Sequence, residues 1–470
     1  MTQRITIIGG GPGGYTAAFA AAKAGAQVTL VEAGPMGGTC LNCGCIPTKT
    51  LKASADALET VRRMAEFGLA GDCAAAPDMP AVRERKRRVI GVLRGGLEKT
   101  CARLKVRLVS GRGQVMSAGQ VRVHQPDGSF EDVLGDRIII ATGSRSLRLP
   151  SLPVDHKRIL DSEDALELDY VPGRMLIVGG GVIGTELAFL FRTFGSKVTV
   201  VEGLERILPV PSIDEDLSKL VQREMKKRGI AFELASVARQ AEVFDGGVRV
   251  TLGPSPFAAT VPPEAQVERT LEADVVLVAV GRSPNTEGLG LAEAGVEVDK
   301  RGWITVDEGL ETSLPGVFAV GDILGPARIM LAHVAVMEAK AAVVNSMGGS
   351  ACMSYSVVPS AVFITPEIAS VGLTEAQARS RGMEVVCPQT AFRELGKAQA
   401  MGELAGLFKL VLDVNSGRVL GAHIAGAHAS DIIAEPTLGM NLKATSGDIA
   451  ATIHAHPTLA EGLFETAHLL

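Results

Sequence analysis

Long apolar runs are missing from this chain. No stretch reaches about 18 uninterrupted apolar residues, so the sequence predicts no membrane-spanning helix. The N-terminus also lacks a charged leader with a cleavage site, and a strand-like run begins at residues 5–8. Both absences favour a cytoplasmic protein, although a mature organellar protein would look the same.

The chain also has little excess charge of either sign. The formal net charge is −5, which gives no reason to expect nucleic acid or an anionic membrane as a partner. The basic run at residues 83–88 is predicted to be the solvated face of a helix spanning about 80–103.

Cysteine usage excludes a secreted disulfide framework. There are seven cysteines, an odd number, and four of them are scattered singly. The scattered ones are Cys73, Cys101, Cys352 and Cys387. In a reducing compartment the remaining cluster, at positions 40, 43 and 45, is more typical of catalysis or metal binding.

The chain is long and rich in glycine. A chain of 470 residues predicts about three domains. The 54 glycines and a 46% hydrophobic content favour α/β architecture with many tight turns.

One sequence unit occurs twice, at residues 5–32 and 175–202. Each copy predicts a strand, a glycine turn, an amphipathic helix and a second strand that ends in glutamate. The matched positions are Gly9, Gly11, Gly14, Gly25 and Glu32 in the first copy and Gly179, Gly181, Gly184, Gly195 and Glu202 in the second.

Each glycine of this unit has a physical role in binding a dinucleotide. The first makes the tight turn, the second lets the backbone approach a pyrophosphate, and the third lets the helix pack on the strand. The helix N-terminus then attracts the phosphates, and the closing carboxylate accepts hydrogen bonds from ribose hydroxyls. Two copies therefore predict two dinucleotides. Because no arginine directly follows Glu202, the second site favours NAD over NADP, with Arg206 either an exception or a loop cation.

Three later runs are predicted to be buried strands that end in a glycine turn: 136–143, 274–281 and 317–322. Asp322 either contacts a ligand at the carboxyl end of its strand or caps the next helix. The last 120 residues contain strand-like runs at 361–365, 407–414 and 419–424 but no fingerprint. They predict an α+β domain for assembly or for closing the site.

The thiol cluster allows two disulfides. In a regular helix, Cα atoms five positions apart are separated by roughly 8.7 Å, beyond the approximate 7 Å limit for a disulfide, whereas those three apart are about 5 Å apart. Undistorted helix geometry would therefore pair Cys40 with Cys43. Gly44 and Pro47 permit the irregular backbone that a bridge between Cys40 and Cys45 needs, so local geometry leaves both open. A zinc site would need a fourth ligand that the nearby sequence does not supply.

Taken together, these motifs resemble those of the pyridine nucleotide–disulfide oxidoreductases over essentially the whole chain. The ordered set is the first fingerprint, GGTCLNCGCIPTK (37–49), ATGS (141–144), the second fingerprint, GRSPN (281–285), FAVGD (318–322) and HAHPTLAE (454–461). The resemblance implies an α/β fold with two Rossmann-like dinucleotide-binding domains, for FAD and NAD, and a C-terminal α+β dimerisation domain. The implied domains are 1–146 (first part of the FAD domain, with the redox disulfide), 147–272 (NAD domain), 273–346 (second FAD or central part) and 347–470 (interface).

The resemblance also implies the site. The redox disulfide is Cys40–Cys45, and Cys43 stands where the family usually has a small apolar residue, which leaves non-productive bridges open. His456 is the base, its ring held by Glu461, and it acts in a homodimer on the partner chain. The remaining implied residues are Lys49, paired with Glu186 near the flavin, and the cofactor-binding set Gly9, Gly11, Gly14, Glu32, Lys49, Thr142, Gly143, Asp322, Gly179, Gly181, Gly184, Glu202 and Gly281. The implied substrate is a small dithiol or a lipoyl-bearing protein.

Several alternatives compete with this prediction. The chain end lacks the cysteine pair of mercury reduction, and the second site lacks the cations of an NADPH-dependent glutathione-type reductase. A reductase of another disulfide remains the competitor within the family. Outside it, a nucleotide-binding regulatory protein would not bleach a bound flavin with NADH, and a metal carrier would contain stoichiometric zinc.

Overall fold

The computed structural model describes residues 2–72 and 74–469, so Cys73 lies outside the described residues. The chain divides into two units, each assembled from separate segments. The first unit contains Met1–Leu51, Pro80–Leu147 and Gly281–Tyr355, and the second contains Lys52–Met79, Arg148–Val280 and Ser356–Leu470. Two long helices, Cys45–Arg62 and Met79–Arg103, run across segment boundaries.

A parallel sheet forms the centre of the first unit. Apart from the mostly exposed edge strand Arg107–Ser110, its strands are rich in isoleucine and valine and largely buried on both faces, as parallel strands usually are, and Ile138–Ile140 have no exposed surface. In the described part of this unit the sheet has five strands, in the spatial order Val317–Ala319, Arg137–Ile140, Arg4–Ile8, Gln27–Glu32 and Arg107–Ser110. The central strand, Arg4–Ile8, leads directly into the first glycine turn.

The remaining elements of the first unit surround this sheet. The helical elements are Pro12–Lys23, Gly38–Asn42, Leu291–Ala294, Ala332–Ser346 and a 3-10 helix at Gly321–Ala327. The antiparallel strands are Arg112–Ser117, Gln120–His124 and Phe130–Leu134, with a separate pair at Ser144–Ser146 and Arg282–Pro284.

The second unit repeats the same parallel architecture. Arg174 pairs with Lys197 as Arg4 pairs with Gln27, so both repeats have the same register. Among the described residues its parallel sheet has the order Ala231–Glu233, Lys197–Val201, Arg174–Val178, Val275–Val278 and Ile159–Leu160. Its helices are Ser162–Ala165, Val182–Phe194, Glu215–Lys227 and Pro263–Gln266, and its antiparallel strands are Ser236–Phe244, Gly247–Pro254 and Arg269–Ala273.

An antiparallel sheet flanked by short helices makes up the C-terminal part of the second unit. Its strands are Ser360–Val362, Glu367–Gly372, Val385–Val386, Gln389–Ala391, Leu407–Asp413 and Val419–Gly426. Its helices are Glu375–Ser380, Gly396–Met401, Ala429–Ile432, Ala434–Asn441, Ser446–Ala450 and Glu461–Ala467. Short 3-10 helices occur at Phe392–Glu394 in this part and at Met64–Phe67 earlier in the unit.

The predicted fold class is confirmed: two glycine-turn βαβ units and an α+β C-terminal part are present. The predicted strand at 361–365 is shorter and begins earlier, at Ser360–Val362. The basic run lies on the predicted helix, but its prediction as a wholly solvated face is wrong, because Lys86 is fully buried. Among the described residues, every helix is too short or too polar to cross a membrane.

A buried ammonium joins the C-terminal sheet to the βαβ part of the second unit. The side chain of Lys409 is 2% exposed, and its Nζ lies within 3.0 Å of carboxylate oxygens of Asp214, Asp216 and Glu375. Asp214 also caps the helix Glu215–Lys227. Since a buried charge is tolerated only when it is well paired, this cluster ties the two parts together.

Removing that ammonium is expected to destabilise the protein. In Lys409→Met the buried Asp214 carboxylate and the partly exposed carboxylates of Asp216 and Glu375 lose their cation, and the loss is about 3–5 kcal/mol, measured as a lower midpoint of urea unfolding. Lys219→Met is the matched control, because Lys219 pairs with Glu215 on an exposed helix face and its removal should leave the midpoint unchanged. Equal midpoints for both variants would contradict the role given to Lys409.

The same cluster makes the stability of the folded protein depend on pH. The Lys409 ammonium holds the pKa values of the Asp214 and Glu375 carboxyls below their ordinary range. Its stabilisation is therefore complete above the unfolded carboxyl pKa, which is about 4, and is lost as the pH falls through the lower folded pKa values.

Candidate active site

The first glycine turn has the geometry of a phosphate cradle. Gly9 has φ 105°, and a Cβ there would lie 2.3 Å from the carbonyl oxygen of Ala141. A Cβ on Gly14 would lie 1.7 Å from the Gly9 carbonyl oxygen, so helix Pro12–Lys23 can approach this turn only with glycine. The helix begins at Gly11 with no side-chain cap among the described residues, which leaves its first amides available to an anion.

The second glycine turn repeats this geometry. Gly179 has φ 111°, and a Cβ on Gly184 would lie 1.9 Å from the Gly179 carbonyl oxygen. Helix Val182–Phe194 begins at Gly181, again without a side-chain cap in the described part of the chain. Both cradles therefore fit the pyrophosphate of a dinucleotide.

The closing glutamates also have matching contacts. Glu32 accepts from the amides of Gly10 and Gly34, at 2.5 and 2.7 Å. Glu202 accepts from the amides of Gly180 and Leu204, at 2.6 and 2.9 Å, and its burial raises the pKa of its carboxyl. These bonds hold each carboxylate beside its glycine turn.

Arg206 is a loop cation. Its guanidinium donates to the backbone carbonyls of Val210 and Ile213 at 3.2–3.5 Å. The guanidinium is thereby engaged by its own loop, and Glu202 remains the charged side chain beside the glycine turn.

The thiol segment is anchored on the first cradle. The amide of Gly37 donates to the carbonyl of Gly10 at 2.9 Å. Gly38 has φ 58°, and a Cβ there would lie 2.6 Å from the Cα of Gly11. Two glycines thus allow the short helix Gly38–Asn42, with Cys40 on it, to start directly against the pyrophosphate cradle.

A break between two helices brings Cys40 and Cys45 together. Helix Gly38–Asn42 ends at Cys43, and a new helix of 18 residues starts at Cys45. Between them, a Cβ on Gly44 would lie 3.0 Å from the Thr39 carbonyl oxygen, so this close approach favours glycine. The side chains of Cys40 and Cys45 are hydrogen-bonded, a contact that one continuous helix would not allow. Of the two disulfides that the sequence left open, the structure therefore has the local geometry of Cys40–Cys45.

Asn42 ties this break to its surroundings. Its amide Nδ2 lies 3.0–3.2 Å from the carbonyls of Pro35, Met36 and Gly38. Its Oδ1 accepts from the guanidinium of Arg94 at 2.6 Å. One side chain therefore holds the loop before the cysteines and the helix Met79–Arg103 together.

The electrostatics around the two thiols are asymmetric. The hydrogen bond with Cys45 and then burial raise the pKa of the Cys40 thiol, while the nearby ammonium of Lys49 lowers it and the carboxylate of Asp322 raises it. The phenol of Tyr15 also has a raised pKa, from burial and then from the negative charge of the two cysteines. Lys49, Asp322 and Tyr15 therefore all lie near the cysteine pair within the first unit.

Three separate motifs meet around Asp322. Ser144 Oγ donates to Asp322 at 2.7 Å and accepts from Arg282 Nε at 2.6 Å. Asp322 lies inside the 3-10 helix Gly321–Ala327 rather than at its N-cap, so the capping alternative is wrong. The carboxylate is instead oriented by the motifs ATGS and GRSPN.

Thr142 and Gly143 lie where the motif ATGS contacts the motif GRSPN. The Thr142 hydroxyl donates to the Asn285 carbonyl, and the Asn285 amide returns a bond to Thr142, both at 3.0 Å. Gly143 and Gly281 both have positive φ, 68° and 134°, which the turns at these strand ends require.

His456 and Glu461 form a pair in the second unit. His456 Nδ1 lies 2.8 Å from Glu461 Oε1, and the imidazole is 78% exposed. Glu461 also accepts from the Thr458 amide, and this bond, followed by the one to His456, lowers the pKa of its carboxyl. With the Nδ1 proton directed at a carboxylate, Nε2 carries the lone pair that a base needs.

Packing of the last helix holds this pair. A Cβ on Gly462 would lie 2.1 Å from the ring of Phe408, so glycine lets helix Glu461–Ala467 lie on the sheet. The side chain of His454, by contrast, is only 7% exposed, with Nδ1 on the Thr452 carbonyl and Nε2 on Glu435. Its ring nitrogens are both engaged in structural bonds.

Glu186 and Lys49 lie in different units, and their pairing stays a prediction. Glu186 is buried on helix Val182–Phe194 and accepts from the amide of Phe363 at 2.9 Å. Within the described residues, histidine, cysteine and carboxylate side chains do not form a group of three placed to hold a metal ion.

Sequence reasoning missed several residues of this site. Ser144, Arg282 and Asn285 belong to motifs that were recognised, but their bonds, to Asp322, Ser144 and Thr142 respectively, cross 138–178 residues of chain and have no local signal. Arg94 has no motif at all. Only the fold reveals these partners.

The fold and the site together define a class: an α/β protein with two dinucleotide cradles and a cysteine pair placed against the first. The family described as "Pyridine nucleotide-disulphide oxidoreductase" matches residues 3–339, and its dimerisation domain matches residues 358–467. The chain belongs to this family.

Similar proteins are found along the whole chain. A dihydrolipoyl dehydrogenase of Geobacillus stearothermophilus is 40% identical over 98% of this chain and 95% of the relative, and one of Bacillus subtilis is 39% identical over the same shares. Among solved structures, LpdA of Mycobacterium tuberculosis has a TM-score of 0.90 at 27% identity, covering 99% of both chains. The HOCl-induced flavoprotein disulfide reductase RclA of Escherichia coli has a TM-score of 0.85 at 28% identity, covering 99% of this chain and 100% of that one.

Proposed function

We propose that this protein is a dihydrolipoyl dehydrogenase, which oxidises a dihydrolipoyl dithiol to the disulfide with FAD and reduces NAD⁺ to NADH. The observation that carries the proposal is the contact between Cys40 and Cys45 beside the first dinucleotide cradle. Relatives of that name are about 40% identical over nearly the full length, which supports the choice of dithiol.

The cysteine pair carries the exchange chemistry. His456 removes a proton from the substrate dithiol, because only a thiolate attacks a disulfide. That thiolate attacks the sulfur of Cys40 and breaks the Cys40–Cys45 bond, so Cys45 leaves as a thiolate. The second substrate thiol then displaces Cys40, which completes the oxidation of the substrate. FAD bound at the first cradle would supply the redox chemistry that passes the two electrons on to NAD⁺, as the Cys40–Cys45 disulfide forms again with loss of its thiol protons.

The other residues bind and orient. Gly9, Gly11 and Gly14 would hold the FAD pyrophosphate, and Glu32 would accept from its ribose. The second unit would hold NAD in the same way through Gly179, Gly181, Gly184 and Glu202. Two further groups would complete the FAD site: Asp322 with Thr142, Gly143 and Gly281, and Lys49 with Glu186.

NAD rather than NADP is supported by charge. A 2′-phosphate beside the second cradle would meet the Glu202 carboxylate, while Arg206 is engaged by the carbonyls of its own loop. The Glu202 carboxylate would therefore repel the 2′-phosphate of NADP⁺, and Arg206 would not offset this repulsion.

The site is complete only in a homodimer. The C-terminal part matches the family's dimerisation domain, and it exposes large apolar side chains before His456. Leu438, Leu442 and Ile453 are 62%, 73% and 97% exposed. We infer that a second copy covers this surface and that His456 acts on the cysteine pair of that copy. The domain limits 1–146, 147–272, 273–346 and 347–470, and a cytoplasmic location, belong to the same proposal.

Charging this surface is expected to separate the dimer. Ile453→Glu would bury a carboxylate at the interface, so light scattering after size exclusion should give the monomer mass, and activity should fall with the dimer fraction. Val267→Glu is the matched control, because Val267 is 68% exposed in the connection between helix Pro263–Gln266 and strand Arg269–Ala273 of the same unit. A dimeric Ile453→Glu protein would contradict the interface.

A reductase of another disulfide is the second candidate. The structural similarity to RclA favours it, since that protein is described as a flavoprotein disulfide reductase. This candidate would use the same cysteine pair with electrons flowing from the nicotinamide to the disulfide.

One set of assays separates the candidates. The proposal predicts rapid NAD⁺ reduction with dihydrolipoamide and slow reduction of NADP⁺. NADH should not drive reduction of glutathione disulfide at a comparable rate. The opposite pattern, fast disulfide reduction and no turnover of dihydrolipoamide, would replace the first candidate with the second.

A further inference from the structure

A third thiol lies within one helical turn of the cysteine pair. Cys43 is half-buried and ends the helix Gly38–Asn42, and its amide donates to the Thr39 carbonyl at 3.0 Å. Residues 39–43 therefore close a regular turn. In such a turn Cα atoms three positions apart are about 5 Å apart, which lies inside the range of roughly 4.4–6.8 Å that disulfides use.

Cys40 and Cys45 differ as leaving groups. Cys45 begins a helix of 18 residues, whose N-terminal amides and dipole stabilise a thiolate. Cys40 instead lies on a helix of only five residues, and its contact with Cys45 and then its burial raise the pKa of its thiol. In thiol–disulfide exchange the sulfur that is the better thiolate leaves. A third thiol that attacks this disulfide therefore attacks Cys40 and expels Cys45.

We propose that Cys43 exchanges with the Cys40–Cys45 disulfide, forming a Cys40–Cys43 bridge and releasing Cys45 as a thiolate. Cys43 gives its proton to solvent, a new S–S bond forms between Cys43 and Cys40, and the Cys40–Cys45 bond breaks with its electron pair on Cys45. The oxidation level does not change, so the step needs no oxidant. This inference rests on the proposed function, since it requires that Cys40 and Cys45 form the redox disulfide.

The exchange affects the two directions of the reaction, dithiol oxidation and disulfide reduction, differently. In the exchanged form a substrate thiolate still attacks Cys40, now expelling Cys43, and the second substrate thiol then displaces Cys40, which leaves Cys40, Cys43 and Cys45 reduced. These two displacements restore the ordinary cycle. Electrons that come from NADH reach Cys45, which carries no disulfide bond in the exchanged form. Cys43 therefore delays disulfide reduction by NADH and leaves dithiol oxidation available.

Differential alkylation measures the exchange directly. The three cysteines lie on one tryptic peptide between Lys23 and Lys49, so fragment masses assign each label. Oxidised holoprotein is alkylated with one reagent, reduced, and alkylated with a second. We expect the first label on Cys45 in a fraction of wild-type chains, above the background that Cys43→Ser sets. In Cys45→Ser treated with oxidised glutathione, we expect Cys40 and Cys43 to carry the second label together.

The outcomes separate this inference from the proposed function. If Cys40 and Cys45 are bridged in every wild-type chain and Cys45→Ser keeps both Cys40 and Cys43 as titratable thiols, the exchange is wrong and the proposed function stands. A bridge between Cys43 and Cys45 would also overturn the exchange. If Cys40 is never bridged in oxidised wild-type protein, both fall.

A kinetic measurement tests the exchange independently of the labelling. Reduction of lipoamide by NADH should begin with a lag in wild-type protein, and pre-treatment with dihydrolipoamide should remove it. Cys43→Val should show no lag. A lag of equal length in both proteins would overturn the inference.

Discussion

Cys45→Ser is expected to reduce dihydrolipoamide-dependent NAD⁺ reduction to background while FAD stays bound. A serine hydroxyl does not form the disulfide that the substrate thiolate attacks, and it does not provide a thiolate for the electron transfer. The cofactor should stay, because the cradle around Gly9, Gly14 and Glu32 is formed by backbone contacts and carboxylate bonds of residues other than Cys45. Stopped activity with an unchanged flavin spectrum is the expected result.

Cys43→Val is the matched control for this variant. It removes a sulfur two positions away in the same segment but leaves Cys40 and Cys45 in contact, so dithiol oxidation should stay within about twofold of wild type, as for most changes outside a reacting pair. Loss of activity in Cys43→Val together with retention in Cys45→Ser would assign the redox disulfide to Cys40 and Cys43.

His456→Gln is expected to lower kcat by about 100-fold to 10,000-fold, the usual contribution of a positioned general base. Glutamine keeps the size and a hydrogen bond to Glu461 but does not accept the substrate proton. The remaining rate should rise with pH, because the substrate thiol then ionises without help. Rates near wild type at neutral pH would remove His456 from the proton transfer.

His454→Gln is the control for that variant. His454 bonds to the Thr452 carbonyl and to Glu435, and its side chain is 7% exposed, so its role is structural. We expect lower thermal stability with a much smaller change of kcat and no new rise with pH. A pH profile that matched that of His456→Gln would shift the base to His454.

Local signals predicted the repeated units well. Glycine at Gly9, Gly14, Gly179 and Gly184 is required because a Cβ would meet backbone within 2.3 Å, and such requirements are visible in sequence. The end of helix Val182–Phe194 was visible for a different reason, since Gly195 follows it with φ 127°, a conformation that favours glycine. The fold class followed from these elements.

Contacts between residues far apart in the chain could not be predicted from the sequence. The contact of Cys40 with Cys45 depends on the break at Gly44, and helix geometry alone allowed a different pair. Lys86 lies in a run of basic residues but is buried, and Lys409 lies in a strand but meets carboxylates almost 200 residues earlier in the chain. Charge patterns along the chain carry no information about such partners.

The most direct test of the central claim follows the two sulfurs through one turnover. Holoprotein of the Cys43→Val variant, which excludes exchange, is treated with one equivalent of dihydrolipoamide and alkylated with or without NAD⁺. Our account predicts that Cys40 and Cys45 are both alkylated without NAD⁺, and both protected again once NAD⁺ has been converted to one equivalent of NADH. Formation of NADH while the two cysteines keep the same labelling in both samples would contradict it.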